Sequence, residues 1–283
     1  MSSAATTSVA PVLDWALIGR QIQGLFRLEL GRQLFSRRAL QLYLLAFVPV
    51  FLVTLWAITE GSDDLSAPIE ASPVFAVLFA VYLRIPIFFG CLVLFMNLFR
   101  SEILERSLHY LFLTPVRREV VVAGKYIAAL FATAMVFVLG TALLYLATFS
   151  PWGLGELSRH LFQGPGLGHL MSYAGIAVLA CIGYGAIFLL AGLVVKNPVV
   201  IGIFFWGWEF LNPFLPALLK KLSVVFYLRN LMPVPLPDGP FAVLADPISP
   251  WISVPGLLLF TAAVLAIAAW RARGLEIHYG GED

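Results

Sequence analysis

Two charged side chains, Arg84 and Glu209, stand inside long apolar runs of this chain. An ionisable group in hydrocarbon is costly enough to mark a pathway or a pairing by default. Counted inward at about 1.5 Å per residue, Arg84 lies about 21 Å from the end of its run at Leu98 and Glu209 about 17 Å from Pro198, within about one helical turn of each other in depth. The two are expected to meet or to line a polar cavity together, each lowering the other's desolvation cost. The alternative is that each side chain reaches separately for the outer headgroups. Pro86, two residues beyond Arg84, would loosen the helix and free carbonyls toward the same cavity.

Other chemistry leaves little trace. The G-x-x-x-x-G-K-[ST] phosphate loop is absent, so any ATP must be handled by another polypeptide. Neither a G-x-S-x-G elbow nor an H-E-x-x-H pair occurs, and His109, His160, His169 and His278 are scattered. Gly164 to Gly168 is glycine-rich but lacks a following Lys and a preceding strand, and is read as a turn. The acidic pair Asp63 and Asp64 suits a solvated outer loop better than a cation site. Cys91 and Cys181 both lie in apolar runs as ordinary filler, with no disulfide or metal assigned.

The elements that must hold Arg84 and Glu209 follow from composition. With 60% hydrophobic and 12% charged residues and a mean hydropathy of +0.92, the chain has too few polar groups to cover a soluble core, since soluble domains carry about 25% charged residues. Lipid is the solvent for most of it. A net charge of +2 gives no field for nucleic acid. A hydrocarbon core of about 30 Å needs about 20 apolar helical residues, and six runs qualify: Leu40 to Thr59, Val74 to Leu98, Val121 to Phe149, Leu170 to Val195, Val199 to Leu219 and Trp251 to Trp270. The fifth is interrupted by Asn212, Pro213 and Pro216; five spans plus a re-entrant piece is the fallback. The expected fold is an all-α integral membrane protein in three parts: a cytoplasmic N-terminus with an interfacial helix over 1–39, a six-span region over 40–271 and a tail over 272–283.

With the N-terminus inside, one face collects Arg20, Arg27, Arg32, Arg37, Arg38, Arg100, Arg106, Arg117, Arg118, Lys125, Lys196, Arg271 and Arg273, against Arg159, Lys220, Lys221 and Arg229 on the other. Positive residues are retained on the cytoplasmic side, so both termini are expected there. Ahead of the first span, Trp15, Ile18, Ile22, Leu25 and Phe26 recur at three- and four-residue steps among Arg20, Gln23 and Arg27, the pattern of an interfacial helix or of a cytoplasmic helix packed on the protein. The outer stretch Lys220 to Pro250 reads as a short helix over Leu222 to Met232 and then a Pro-rich cap that cannot be regular helix. Gly124, Ala128 and Ala132 at four-residue spacing, and Gly185 and Gly192 one heptad apart, are close-packing signals.

The most specific segment follows the second span, from Arg100 to Tyr126. Leu104, Leu108, Leu111 and Phe112 fall on one helical face, with Glu102, Glu105, Arg106 and His109 largely elsewhere. Such a helix suits docking into a partner's groove; a loop folded back on the membrane surface is the bland alternative. The segment resembles the cytoplasmic loop of ABC type 2 exporter permeases: Glu102 or Glu105 at the acidic position, Leu111 to Val116 with Thr114-Pro115 as the central run, Arg117 or Arg118 at the basic position, and Gly124-Lys125 entering the third span. The resemblance extends over nearly the whole chain. It implies an N-terminal amphipathic elbow helix, a coupling helix seated on an ATPase subunit, a second and fifth span lining the pathway, and hence a place for Arg84 and Glu209 on it. It implies a plasma (inner) membrane exporter with two ATPase copies, which carry the ATP and Mg, and a second permease copy or paralogue. No cofactor is expected in this chain, and it is not expected to be an enzyme. A long Pro-rich final outer segment and Arg84 depart from the pattern. Two other classes fit: an ion- or proton-coupled carrier, though no internal repeat is found, and a non-transporting assembly subunit.

Overall fold

The computed structural model describes residues 15–59, 70–104, 118–195, 197–235 and 249–273. Among the described residues it is about 91% helical with no strand, and five helices there are long and apolar enough to cross a bilayer. The chain is an all-α, multi-pass membrane protein. In hydrocarbon each backbone N–H and C=O must find a partner within the chain, and a helix supplies them all internally.

In chain order the elements are α1 (Trp15–Leu34), α2 (Arg37–Thr59), α3 (Ala71–Tyr82), a π-helical turn (Leu83–Ile87), α4 (Phe88–Leu104), α5 (Arg118–Phe149), α6 (Gly153–Phe162), α7 (Gly166–Val194), α8 (Pro198–Leu211), α9 (Ala217–Lys220), α10 (Val224–Arg229) and α11 (Pro250–Arg273). The expected first outer loop over 60–69, most of the Pro-rich cap over 236–248 and the tail beyond 273 lie outside the described residues.

Helix α7 is the axis of the bundle, packed against α4, α5, α6, α10 and α11. Its small residues set the spacing. At Gly192 an added Cβ would lie 2.6 Å from the carbonyl oxygen of Met96 on α4, and at Gly185 2.7 Å from the Phe95 ring. Backbone cannot swing aside as a ring can, so Gly192→Ala must push α4 and α7 apart. The expected loss is about 1–3 kcal/mol, read by equilibrium unfolding in mixed micelles. An unchanged midpoint would mean the helices have slack there. The thiols of Cys91 on α4 and Cys181 on α7 are free and buried. Aromatic hydroxyls tie helix to helix: Tyr126 Oη donates to the Ile182 carbonyl at 2.8 Å, Tyr82 Oη to Ala46 at 3.1 Å and Tyr43 Oη to Leu34 at 2.9 Å.

Helix α1 packs along α5 in the opposite direction, because Phe26 meets Phe131 edge-on at 5.6 Å while Glu29 meets Lys125. Its exposed side carries Arg20, Arg27 and Leu28. Helix α6 occupies residues read from sequence as outer loop. Gly153 opens it at φ +83°, a conformation that favours glycine. Leu157 and His160 point inward, the imidazole Nε2 lying 3.1 Å from Tyr145 Oη, while Glu156 and Arg159 pair at 2.6 Å on the exposed side. Of the glycine-rich stretch read as a turn, only Gly164 and Pro165 precede the helix; Gly166 to Gly168 form the first turn of α7.

The fifth apolar run, expected as Val199 to Leu219, is one continuous α-helix only as far as Leu211, over Pro198–Leu211. Its 14 residues reach about 21 Å, short of the roughly 30 Å of a hydrocarbon core. Pro213 and Pro216 cannot continue the ladder; a 3₁₀ turn at Asn212–Phe214 bends the chain into α9 and α10. Asn212 Nδ2 donates to the Lys220 carbonyl at 3.3 Å across the bend.

Candidate functional site: a charged cavity beside the broken helix

Pro86 lacks the N–H that would bond the carbonyl four residues back, and the helix widens there into the π-turn Leu83–Ile87. Arg84 is borne on this turn, near the midpoint of the continuous apolar helix Ala71–Leu98. The π-turn, α7 and α8 enclose a cavity of about 170 Å³ with three polar side chains at its wall: Arg84, Tyr184 and Glu209. Val81, Ile85 and Phe88 form one apolar side, and Trp206 and Phe210 the other. Four of the apolar lining residues, Val81 and Ile85 on one side and Trp206 and Phe210 on the other, are exposed.

Glu209 is buried, and its carboxylate is occupied. It accepts from Ser223 Oγ at 2.5 Å and from the backbone N–H groups of Val224 and Val225 at 3.0 and 3.2 Å. Those donors are the first turn of α10, whose N–H groups have no partner within the helix. Glu209 thus caps α10 from another element and closes the bend that breaks the fifth run. Irregular backbone at membrane depth is tolerated where protein satisfies it in this way.

Arg84 is half-buried and no hydrogen bond or ion pair joins it to Glu209, although the two charges interact through space. The structure therefore brings the pair to one cavity without direct contact. Tyr184, 1% exposed on α7, completes the group; its hydroxyl is buried with no hydrogen-bond partner among the described residues. Its ring is wedged edge-on against Phe88 at 5.2 Å.

The residues assigned to the coupling segment are placed differently. Glu102 lies in the last turn of α4 and Arg118 opens α5. Glu105, Leu108, Leu111, Thr114, Pro115 and Arg117 lie outside the described residues. Lys125 is buried in α5, its Nζ 2.6 Å from Glu29 Oε1, with only 1% and 4% of the two side chains exposed.

Three participants escaped the reading of residue types: Tyr184, Ser223 and Glu29. Glu29 had a signal, since it continues the three- and four-residue steps of Ile22 and Phe26 and puts a charge on the apolar face of α1. Ser223 also had one, as a capping residue type just before a short apolar helix. Tyr184 had none, being one aromatic among many on an almost wholly apolar helix.

Among the described residues no group of three or more His, Cys, Asp or Glu side chains is placed to hold a metal ion. Compared with known proteins, the chain matches no family model and no curated protein.

Proposed function

We propose that this chain is the permease of an ABC type 2 exporter, a membrane subunit that moves a substrate by alternating access under the power of a separate ATPase. The reading is carried by the segment between α4 and α5. An acidic residue, the run Leu111 to Val116 with its Thr114-Pro115 and the basic pair Arg117-Arg118 follow in order from the end of α4 to the start of α5, and Gly124-Lys125 comes next within α5. On this reading the segment from Arg100 to Arg118 is a coupling helix. Two ATPase copies, holding ATP and Mg, push on the coupling helices of two permease copies, identical or paralogous. The cavity between them turns from inward to outward facing. Helix α1 is the elbow, held at the inner end of α5 by the Glu29–Lys125 pair. The α8 to α10 segment is a partial crossing that dips and returns. The chain sits in the plasma membrane with both termini in the cytoplasm, as the Lys and Arg asymmetry supports.

The test is co-purification. An ATPase is expected to come down with the chain, and its hydrolysis to fall at least about tenfold when Leu108 and Leu111 are both replaced by Asp, because two carboxylates cannot be desolvated in an apolar groove. An ATPase that binds and turns over equally with the double variant would remove the coupling role.

One observation favours a second reading, an ion- or proton-coupled carrier. Such carriers place helix ends and charges at the midplane through broken helices, and here α8 breaks beside Glu209, which receives the N-terminus of α10. Liposomes decide between the two. Uptake driven by an ion gradient with no ATPase present selects the carrier; uptake only with ATPase and ATP selects the exporter.

A further inference from the structure

We infer that the cavity between the π-turn, α7 and α8 binds an anionic amphiphile, a carboxylate or phosphate head on an apolar body. The balance of donors and acceptors points to it. A guanidinium offers five N–H donors and no acceptor, yet Arg84 has no hydrogen-bond or ion-pair partner among the described residues. The Tyr184 hydroxyl is a buried donor without a partner beside it. The nearby carboxylate of the protein, Glu209, also lines the cavity, but its oxygens already accept three hydrogen bonds, from Ser223, Val224 and Val225. Donors are in surplus, so the missing component is an acceptor with negative charge. Buried donors left unmade are costly, and planar guanidinium is the side chain best matched to carboxylate and phosphate oxygens.

The rest of the wall specifies the body of the ligand. Apart from the three polar groups the lining is Val, Ile, Phe and Trp, and its exposed members, Trp206 and Phe210 among them, are all apolar. A fully hydrated ion such as free phosphate would lose its water shell against these surfaces with little return. A molecule whose tail lies along Trp206 while its head reaches Arg84 satisfies both ends. On the transport reading above, on which the word cargo alone rests, this ligand class is the cargo. Binding itself requires no ATPase.

The experiment uses the full chain in phosphatidylcholine nanodiscs and a bromine-tipped probe, 11-bromoundecanoate, with 11-bromoundecanol as its neutral twin. Bromine quenches indole fluorescence at contact, and Trp206→Phe identifies the part of the signal that arises at the cavity. The carboxylate is expected to bind at least about tenfold more tightly than the alcohol, as befits a charge-assisted contact. Arg84→Gln is expected to erase the difference. Arg84→Lys, which covers the case of a variant that fails to fold, is expected to retain part of it. Tyr184→Phe is expected to weaken the carboxylate about threefold and leave the alcohol unchanged. Equal affinity for acid and alcohol in the unaltered chain, or a preference that survives Arg84→Gln, overturns the site. Discs containing phosphatidylglycerol separate two sources of the same chemistry: competition identifies a membrane lipid, and an unchanged preference identifies a free amphiphile. An anion preference in a chain with which no ATPase co-purifies leaves the site standing and removes the exporter; a co-purifying ATPase on a chain that lacks the preference does the reverse.

Discussion

Glu29→Ala is expected to destabilise the protein by removing the carboxylate 2.6 Å from the buried Lys125 ammonium, and breaking a buried ion pair by deleting one member commonly costs about 3–5 kcal/mol. Lys125 Nζ lies 2.6 Å from the Glu29 carboxylate with almost nothing of either side chain exposed, so water cannot take the place of the lost anion. Gln33 Nε2, 3.4 Å from Glu29 Oε2, can only donate, and offers the ammonium nothing in exchange unless its amide turns. The damage should be directional: α1 is expected to loosen from α5 before the bundle opens. Hydrogen exchange resolved along the chain would show faster exchange over α1 and the first turns of α5, with α7 unaffected. Replacing both partners by Leu and Met removes the buried charges together and should recover most of the loss, because apolar pairs of similar volume are often as stable as the ions they replace. A double variant no better than Glu29→Ala would show that packing, and not charge, holds the elbow.

The second large effect concerns Glu209. Glu209→Ala strips the acceptor from Ser223 Oγ and from two N–H groups of α10 at once, and buried donors left unsatisfied cost about 1–3 kcal/mol each when nothing relaxes. A total of about 2–4 kcal/mol is expected, since a short helix can shift to regain part of it. Glu209→Gln keeps one acceptor oxygen and the volume and should lose about half as much. Ser223→Ala removes a single donor together with its need and should be milder still. The same geometry bears on Arg84. If the two charges formed a closed pair, removing both would rescue what removing one destroys. With Glu209 spent on α10 instead, the Arg84→Ala and Glu209→Ala losses should add, with a coupling below about 1 kcal/mol. A double-mutant cycle in micelles measures that number, and a coupling of several kcal/mol would restore the direct pair.

The membrane character of the fold was legible because it depends on composition and run length alone. Any segment of about 20 apolar residues must satisfy its own backbone in lipid, and Leu40 to Thr59, Val74 to Leu98, Val121 to Phe149, Leu170 to Val195 and Trp251 to Trp270 all fall within long helices of the structure. The break in the fifth run was legible for a similar local reason, since Asn212, Pro213 and Pro216 disrupt a helix whatever surrounds them. Helix α6 was not, because ten residues with glycine at their head are too short to stand out from a loop by length, although Leu154, Leu157 and Leu161 recur at three- and four-residue steps.

What residue types and spacing determined for the cavity was depth: Arg84 and Glu209 had to fall at similar levels, because rise per residue is constant. What they could not determine was direction. Whether Glu209 turns toward Arg84 or toward the first N–H groups of α10 depends on how the chain returns after Asn212, and that is set by the packing of α8 and α10 against α4 and α7. The same limit hid Tyr184, whose hydroxyl matters because of what is not beside it, and hid the meeting of Glu29 with Lys125, residues 96 positions apart. Charges in the chain are counted from its letters; their partners are chosen by the tertiary structure, since only there is water excluded and an unmet donor given its cost.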